Sequence, residues 1–241
     1  MSDKKIIELD NQIDTIICDI EGTTTSVSFV YDILFPYFKA HIKEINNFSQ
    51  LQEVKEAFSQ VIEIVAEEEN EQITTSEEVL KYLEKWSNED RKVTPLKTLQ
   101  GILWRNGYTS GELKGHVYDD VPAALEEWKS KGLKLGVFSS GSIAAQKLIF
   151  GNSIFGDLSK NFAHYFDTNT GQKRDVNTYT EIAKQINLLP AKILFLSDIQ
   201  QELEAAKEAG FKTLQLVRPG TAISWDEYVH DFSEINSKLG L

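Results

Sequence analysis

The chain has 241 residues, 41% of them hydrophobic, enough for one large domain or a domain with an insertion, built on a core that needs no covalent staples. Its 37 acidic and 25 basic side chains give a formal charge of −12, which argues against nucleic acid or an anionic membrane as the main partner, because both reward clustered Lys and Arg. A single cysteine excludes an internal disulfide framework, and no apolar run, including the one after Met1-Ser2-Asp3-Lys4-Lys5, approaches bilayer length, so a soluble cytosolic protein is expected.

The first predicted element is a strand from Ile13 to Asp19. Its apolar centre, Ile16-Ile17-Cys18, reads as buried and delivers Asp19 at the carboxyl end, where open α/β sheets place their ligands. Cys18 reads as a small buried side chain rather than a nucleophile. In Asp19-Ile20-Glu21-Gly22-Thr23-Thr24-Thr25, two carboxylates two residues apart precede a glycine and three hydroxyls. Alone, this stretch is as much a left-handed turn with two solvated acids as the start of a phosphoryl-transfer site.

More than a hundred residues separate this strand from the next, several times what a βαβ crossover requires, so something is inserted. The interval predicts helices at Phe29 to Ile45, Leu51 to Glu69, Ser76 to Ser87 and Pro95 to Asn106, joined by turn-like Asn46-Asn47 and Asn88-Glu89-Asp90. The acidic run from Glu67 to Glu71 reads as a solvated helix end.

The second strand, Leu133 to Ser139, runs into Ser140-Gly141-Ser142 and a helix from Ser142 to Phe150. Hydroxyls and N–H groups at a helix N-terminus attract phosphate, and they are equally ordinary N-capping. A further strand, Ala163 to Phe166, leads into a polar loop with Lys173, either a phosphate-neutralising ammonium or a solvated lysine, and then a helix from Val176 to Asn187. The strand Lys192 to Ser197 is followed by Asp198, with Glu202 four residues beyond and a helix from Gln201 to Ala209; Asp198 is a third site carboxylate or a helix cap. Last come a strand from Thr213 to Val217 and a helix from Trp225 to Leu239.

Strand alternating with helix predicts an α/β fold, a doubly wound parallel sheet built from residues 1–25 and 111–241, with a helical cap inserted at 26–110. Four signals then fall at one sheet edge: Asp19 with Glu21, Ser139-Ser140, Lys173, and Asp198. Together they supply a carboxylate nucleophile, a nearby acid/base, donors for phosphate oxygens, a cation, and an oxygen-rich Mg²⁺ site.

These motifs resemble the haloacid dehalogenase superfamily of phosphohydrolases, whose first motif is usually Asp-x-Asp. Glu21 departs from that pattern and is similar to the enolase-phosphatase branch of methionine salvage. The likeness runs along nearly the whole chain, through Asp32-Ile33-Leu34-Phe35-Pro36-Tyr37, Leu103-Trp104-Arg105-Asn106-Gly107-Tyr108, Tyr118-Asp119-Asp120-Val121, Ser139-Ser140-Gly141-Ser142, Leu194-Phe195-Leu196-Ser197-Asp198 and Val217-Arg218-Pro219-Gly220. It implies that Asp19 attacks phosphorus to give an aspartyl-phosphate, which water hydrolyses. It places one Mg²⁺ at Asp19, Glu21 and Asp198, the backbone carbonyl of Glu21 being one route to the ion. Glu21 takes the acid/base position, and Ser139, Ser140 and Lys173 bind substrate. Some relatives carry Gly-His-Lys where this chain has Gly171-Gln172-Lys173, so a role for that histidine does not carry over.

The substrate so implied is 2,3-diketo-5-methylthiopentyl 1-phosphate, a small phosphorylated diketone that is enolised and then dephosphorylated to 1,2-dihydroxy-3-keto-5-methylthiopentene. Glu21 is the candidate enolisation base, with protonation of the leaving oxygen competing for the same residue. A monomer in the cytoplasm is the family expectation, with nuclear residence open in a eukaryote. The cap is expected to exclude water around the methylthio tail. Phe29, Tyr31, Phe35, Tyr37, Trp104 and Tyr108 are candidates to line it, and read more readily as core. His41, His116, His164 and His230 lack metal-ligand spacing and receive no chemistry. Rival readings are a phosphatase or phosphomutase for another small phosphate ester, a receiver-like phosphoacceptor, and a catalytically dead interaction protein. Receiver domains lack the long insertion, and the occupied chemical positions argue against a dead protein.

Overall fold

The computed structural model describes residues 13–239. The segment 1–12, with the expectation that it carries no anchor, and residues 240–241 of the expected core domain lie outside the described residues. The chain divides into two compact units, one running to Val27 and resuming at Gly115, the other Ser28–Lys114; the sequence reading places the insertion at 26–110. No helix among the described residues is long and apolar enough to cross a membrane.

The Ser28–Lys114 unit is helical. Where the sequence predicts one helix from Phe29 to Ile45, the chain instead changes pitch three times: α1 (Val27–Phe29), a π-turn at Val30–Leu34, α2 (Phe35–His41) and a 3₁₀ segment at Ile42–Phe48. Pro36 accounts for the first change. It has no N–H to offer the Asp32 carbonyl, and the N–H of Phe35 reaches back five residues to the carbonyl of Val30. Next come α3 (Gln52–Glu68), α4 (Ser76–Asn88) and α5 (Thr94–Ser110). A capping box starts α4: Thr75 Oγ1 accepts the Glu78 N–H at 3.3 Å, and Glu78 Oε2 accepts the Thr75 N–H at 2.9 Å.

Val54, Ala57, Val61 and Val65 recur at helical spacing along α3 and pack with Val79, Leu83 and Trp86 of α4 and Leu96, Leu99 and Leu103 of α5. Burying a side chain such as Val61 or Leu83 is worth roughly 1.5–3 kcal/mol. In the acidic run, Glu68 pairs with Arg91 at 2.6 Å and Glu69 with Lys85 at 2.7 Å, so that helix end is tied to its own unit. Among the six aromatic candidates Phe29 and Tyr108 are buried, whereas Tyr31 is exposed and does not follow the core reading.

The other unit is built on a six-stranded parallel sheet in the order β3-β2-β1-β4-β5-β6. Its strands are β1 (Thr15–Cys18), β2 (Lys134–Phe138), β3 (His164–Phe166), β4 (Ile193–Ser197), β5 (Lys212–Leu216) and β6 (Tyr228–Val229). Around it lie α6 (Val121–Ser130), α7 (Ile143–Gly151), α8 (Val176–Gln185), α9 (Gln200–Glu208) and α10 (Phe232–Leu239). Three elements, α6, β6 and α10, differ from expectation. α6 is additional, although Val121, Ala124, Leu125 and Trp128 carry helical spacing after a proline-bearing first turn. The expected helix from Trp225 to Leu239 holds only in its second half: Tyr228 and Val229 pair with Gln215 and Leu216, and Asp231 accepts the Glu234 N–H at 3.1 Å, so the helix starts at Phe232.

Alternate residues of the central strands enter different cores. Ile16, Cys18, Leu194 and Leu196 pack with Trp128, Phe150 and Phe232, while Ile17, Ile193 and Phe195 pack with Tyr179, Ile182 and Leu203. Burial on both faces is why these strands are unbroken apolar runs. β1 lies between β2 and β4, with Cys18 level with Val137 and Leu196. The strand order reverses direction there, which opens a crevice at the carboxyl edge of β1.

Candidate active site

Asp19 leaves β1 with its N–H bonded to the Leu196 carbonyl at 2.8 Å, and the residue is only 2% exposed. The loop after it is a closed knot: the Ile20 carbonyl accepts the N–H groups of Thr23, Thr24 and Thr25, and the Gly22 N–H donates to the Thr25 carbonyl at 2.8 Å. Gly22 has φ +75°, and a Cβ there would lie 2.3 Å from Asp198 Oδ2, so the tight approach of loop to carboxylate requires glycine. Thr24 Oγ1 donates to the Asp19 carbonyl at 3.2 Å and Thr25 Oγ1 to the His116 carbonyl at 2.8 Å. These buried hydroxyls hold the loop. A turn with two solvated acids is therefore not what the sequence builds here.

The two oxygens of Asp19 have different surroundings. Oδ1 accepts the Ile20 N–H at 2.7 Å and meets Lys173 Nζ at 2.6 Å; Oδ2 takes part in neither contact. Lys173 is no solvated lysine. It is 7% exposed, its ammonium also lies 2.7 Å from Glu202 Oε2, and its carbonyl accepts the Tyr179 hydroxyl at 2.7 Å. Burial alone would lower the Lys173 pKa, but the charges and hydrogen bonds of Asp19 and Glu202 outweigh it and hold the ammonium above its ordinary value.

Glu21, two residues on, accepts a hydrogen bond from Ser139 Oγ at 3.3 Å. Burial, and then the charge of Asp19, push its carboxyl above the ordinary range. Ser139 Oγ also accepts the Gly141 N–H at 3.1 Å, while capping of α7 falls to Ser142, whose hydroxyl accepts the Ala145 N–H at 3.3 Å. Ser139 is thus not spent on the helix cap. Ser140 is exposed.

Asp198 follows β4, but the N-cap of α9 is Ile199 and no side chain caps that helix. Burial first and then Asp19 push the Asp198 carboxyl up to about 7, and its Oδ1 is buried without a hydrogen-bond partner. Glu202, which the sequence reading leaves out of the site, belongs to it: besides Lys173, its Oε2 accepts the Ser197 hydroxyl at 2.9 Å. Burial and Asp19 raise this carboxyl while Lys173 pulls it down, and the 2.7 Å contact favours the ionised pair. Its signal in the sequence is position, four residues after Asp198 in the first turn of a helix. Arg218 was also missed; its Nε donates to the Thr23 carbonyl at 3.0 Å and its guanidinium pairs with Asp120 at 3.0 Å, bracing the acid loop from behind. Cys18 is buried and its thiol is pushed up by burial, as suits an inert core side chain. His116 accepts the Ser26 N–H through Nδ1 at 3.1 Å.

Asp19, Glu21, Asp198 and Glu202 gather around the single ammonium of Lys173, so the centre is strongly anionic and would repel a phosphate. Among the described residues no three His, Cys, Asp or Glu side chains form a ready-made metal cage. The donor set nonetheless fits Mg²⁺, which takes one or two carboxylates and fills its shell with carbonyl, water and substrate oxygens. The orphaned Asp198 Oδ1 is the atom that most needs such a cation.

The model of the haloacid dehalogenase-like hydrolases matches residues 13–210 of this chain. Enolase-phosphatase E1 of Picosynechococcus sp. is 48% identical over 223 residues, 92% of this chain and 97% of that one. Enolase-phosphatase E1 of a Pseudomonas aeruginosa strain is 49% identical over 92% of this chain and 98% of its own. Among solved structures, the UTR4 protein of Saccharomyces cerevisiae superposes with a TM-score of 0.75 at 32% identity, covering 91% of this chain and 98% of that one. A dehalogenase solved as an intermediate complex reaches a TM-score of 0.59 at 16% identity over 95% and 98%, which speaks for the fold alone.

Proposed function

The chain belongs to the haloacid dehalogenase-like hydrolases and, within them, to the enolase-phosphatase E1 family, and from that premise we propose that it enolises 2,3-diketo-5-methylthiopentyl 1-phosphate and then removes the phosphate, yielding 1,2-dihydroxy-3-keto-5-methylthiopentene in methionine salvage. The observation that carries the reading is the unequal treatment of the two Asp19 oxygens: Lys173 and the Ile20 N–H hold Oδ1, which leaves Oδ2 as the attacking atom.

In the first step Glu21 takes the proton from the carbon beside the carbonyl, and the enolate oxygen gains a proton from solvent. The raised pKa of Glu21 suits a group that must hold that proton and give it up again. In the second, Asp19 Oδ2 attacks phosphorus, the phosphorus–oxygen ester bond breaks, and the leaving oxygen takes the proton from Glu21. Water then attacks the aspartyl-phosphate, Glu21 accepts its proton and later returns it to solvent, and cleavage of the phosphorus–Oδ2 bond frees phosphate and restores Asp19. Throughout, Lys173 keeps Asp19 oriented and ionised, and Glu202 keeps Lys173 in place. Ser139 orients Glu21 and, with Ser140, offers hydroxyls to the substrate.

Asp19, Asp198 and Glu21, the last through its main-chain carbonyl, would hold one Mg²⁺, which when bound supplies positive charge to polarise substrate oxygen and shield the phosphoryl group. We assign the Ser28–Lys114 unit as the cap. The reading includes a monomer working in the cytoplasm. The test is Mg²⁺-dependent turnover of the diketo phosphate, followed at once by enol absorbance and phosphate release. Both signals are expected, the enol first. Phosphate without an enol intermediate reduces the protein to a simple phosphatase, and no turnover alongside hydrolysis of sugar phosphates redirects it to another ester.

A further inference from the structure

Gln215 lies on β5 beside Ser197 of β4 and is fully buried. Its carboxamide is saturated. Nε2 shares its two hydrogens among three acceptors, the carbonyl of Asp198 at 3.1 Å, the carbonyl of Ala222 at 3.0 Å and the hydroxyl of Ser224 at 3.0 Å. Oε1 accepts the N–H groups of Ser224 at 3.0 Å and Trp225 at 3.1 Å. The orientation is forced, because a flipped amide would set its donors against two main-chain donors and its oxygen against two carbonyls.

Asp198 needs a hold of this kind. The like charges of Asp19 and Glu21 push against its carboxylate, whose Oδ1 has no hydrogen-bond partner. The Lys173 charge offsets part of this repulsion, and the main chain is held by hydrogen bonds. The Ile199 N–H donates to Ser197 Oγ at 3.1 Å, and the Asp198 carbonyl is taken by Gln215. We propose that Gln215 is a positioning residue for the metal site, pinning the main chain of Asp198 so that its carboxylate stays where a Mg²⁺ can bind it. The inference rests on the Mg²⁺ reading above. Groups that orient a metal ligand typically change metal affinity roughly 10- to 100-fold when lost, and Gln215 is placed to act this way. The competing role is anchorage of the loop 222–225 alone.

The two roles separate when Mg²⁺ is titrated by calorimetry into the full chain, unchanged and as Gln215→Met and Ser224→Ala. Gln215→Met is expected to bind Mg²⁺ about 10- to 100-fold more weakly, with turnover recovered at high Mg²⁺ and saturating kcat preserved. Ser224→Ala, which disturbs only the loop side, is expected to leave the affinity unchanged. An unaltered Mg²⁺ affinity in Gln215→Met, or equal weakening in Ser224→Ala, overturns the proposal. Should the methionine variant not fold, Gln215→Glu keeps an oxygen for the Ser224 and Trp225 N–H groups but has no donor for Asp198. Faster amide exchange at residues 197–200 of that metal-free variant supports the proposal, and unchanged exchange there overturns it. Mg²⁺ binding without turnover of the diketo phosphate defeats the substrate reading alone, whereas no Mg²⁺ binding by the unchanged chain defeats the metal reading and this inference together.

Discussion

Lys173 Nζ lies 2.6 Å from Asp19 Oδ1, an ion pair buried on both sides at the carboxyl edge of the sheet. A buried pair is weak grounds for stability, because desolvation of both charges opposes their attraction. Its value here is orientation. One oxygen of Asp19 is held and the other stays out of that contact, and Glu202 holds the ammonium from its other side.

Removing the ammonium strands Asp19 and Glu202 in a dry site. Lys173→Met is expected to lower stability by about 3–5 kcal/mol in urea unfolding with chelator present and to abolish phosphate release. Glu202→Gln, which leaves the Lys173–Asp19 pair intact, is expected to lose part of the activity and little stability. A Glu202→Gln variant as inactive as Lys173→Met would show that Glu202 does more than hold the lysine.

Asp19→Asn retains shape and hydrogen bonding but not the attacking oxygen. kcat for phosphate release is expected to fall on the order of 10⁴- to 10⁶-fold, while calorimetry still registers substrate binding in Mg²⁺. Substantial residual turnover would remove Asp19 from the nucleophile role.

Glu21→Gln separates the two chemical steps. Exchange of the substrate's acidic carbon proton with deuterated solvent and release of phosphate are each expected to slow by about 10²- to 10⁴-fold, the range for a lost general acid/base. Undiminished exchange with impaired release would leave Glu21 as acid for the leaving oxygen only.

Asp198 makes stability pH-dependent in a direction opposite to most carboxylates. Its pKa rises from 3.8 to about 7 on folding, so between those values the folded state retains a proton that the unfolded chain releases. The Asp198 contribution therefore makes the metal-free protein less stable as pH rises through that window. Denaturant unfolding from pH 4 to pH 7 is expected to show a shallower fall in Asp198→Asn, and saturating Mg²⁺ is expected to restore stability at the upper end. An Asp198→Asn profile identical to that of the unchanged chain would refute the assignment.

The sequence was most legible where one residue type served one purpose. Apolar runs bounded by polar residues located five of the six strands, because a strand covered on both faces is built mostly of apolar side chains. β6 escaped notice because two residues carry no periodicity, and the pitch changes around Pro36 were hidden inside an otherwise helical pattern. Asp19, Glu21, Ser139, Lys173 and Asp198 were nameable from their places at strand ends and after them. Glu202, Gln215 and Arg218 were not, since an acid in a first helical turn, an amide in a strand and an arginine in a loop each have common explanations.

By itself, then, the chain of residues determined the strand–helix alternation, the long helical insertion and the list of chemical groups at one sheet edge, all of which follow from local pattern and order. Only the tertiary structure decided which oxygen of Asp19 is held, that Asp198 Oδ1 lacks a hydrogen-bond partner, and that Gln215 and Arg218 reach the main-chain carbonyls of Asp198 and Thr23. Those outcomes depend on distances between segments as much as 195 residues apart in the chain, and a hydrogen bond is made or missed within a fraction of an ångström that no spacing along the sequence encodes.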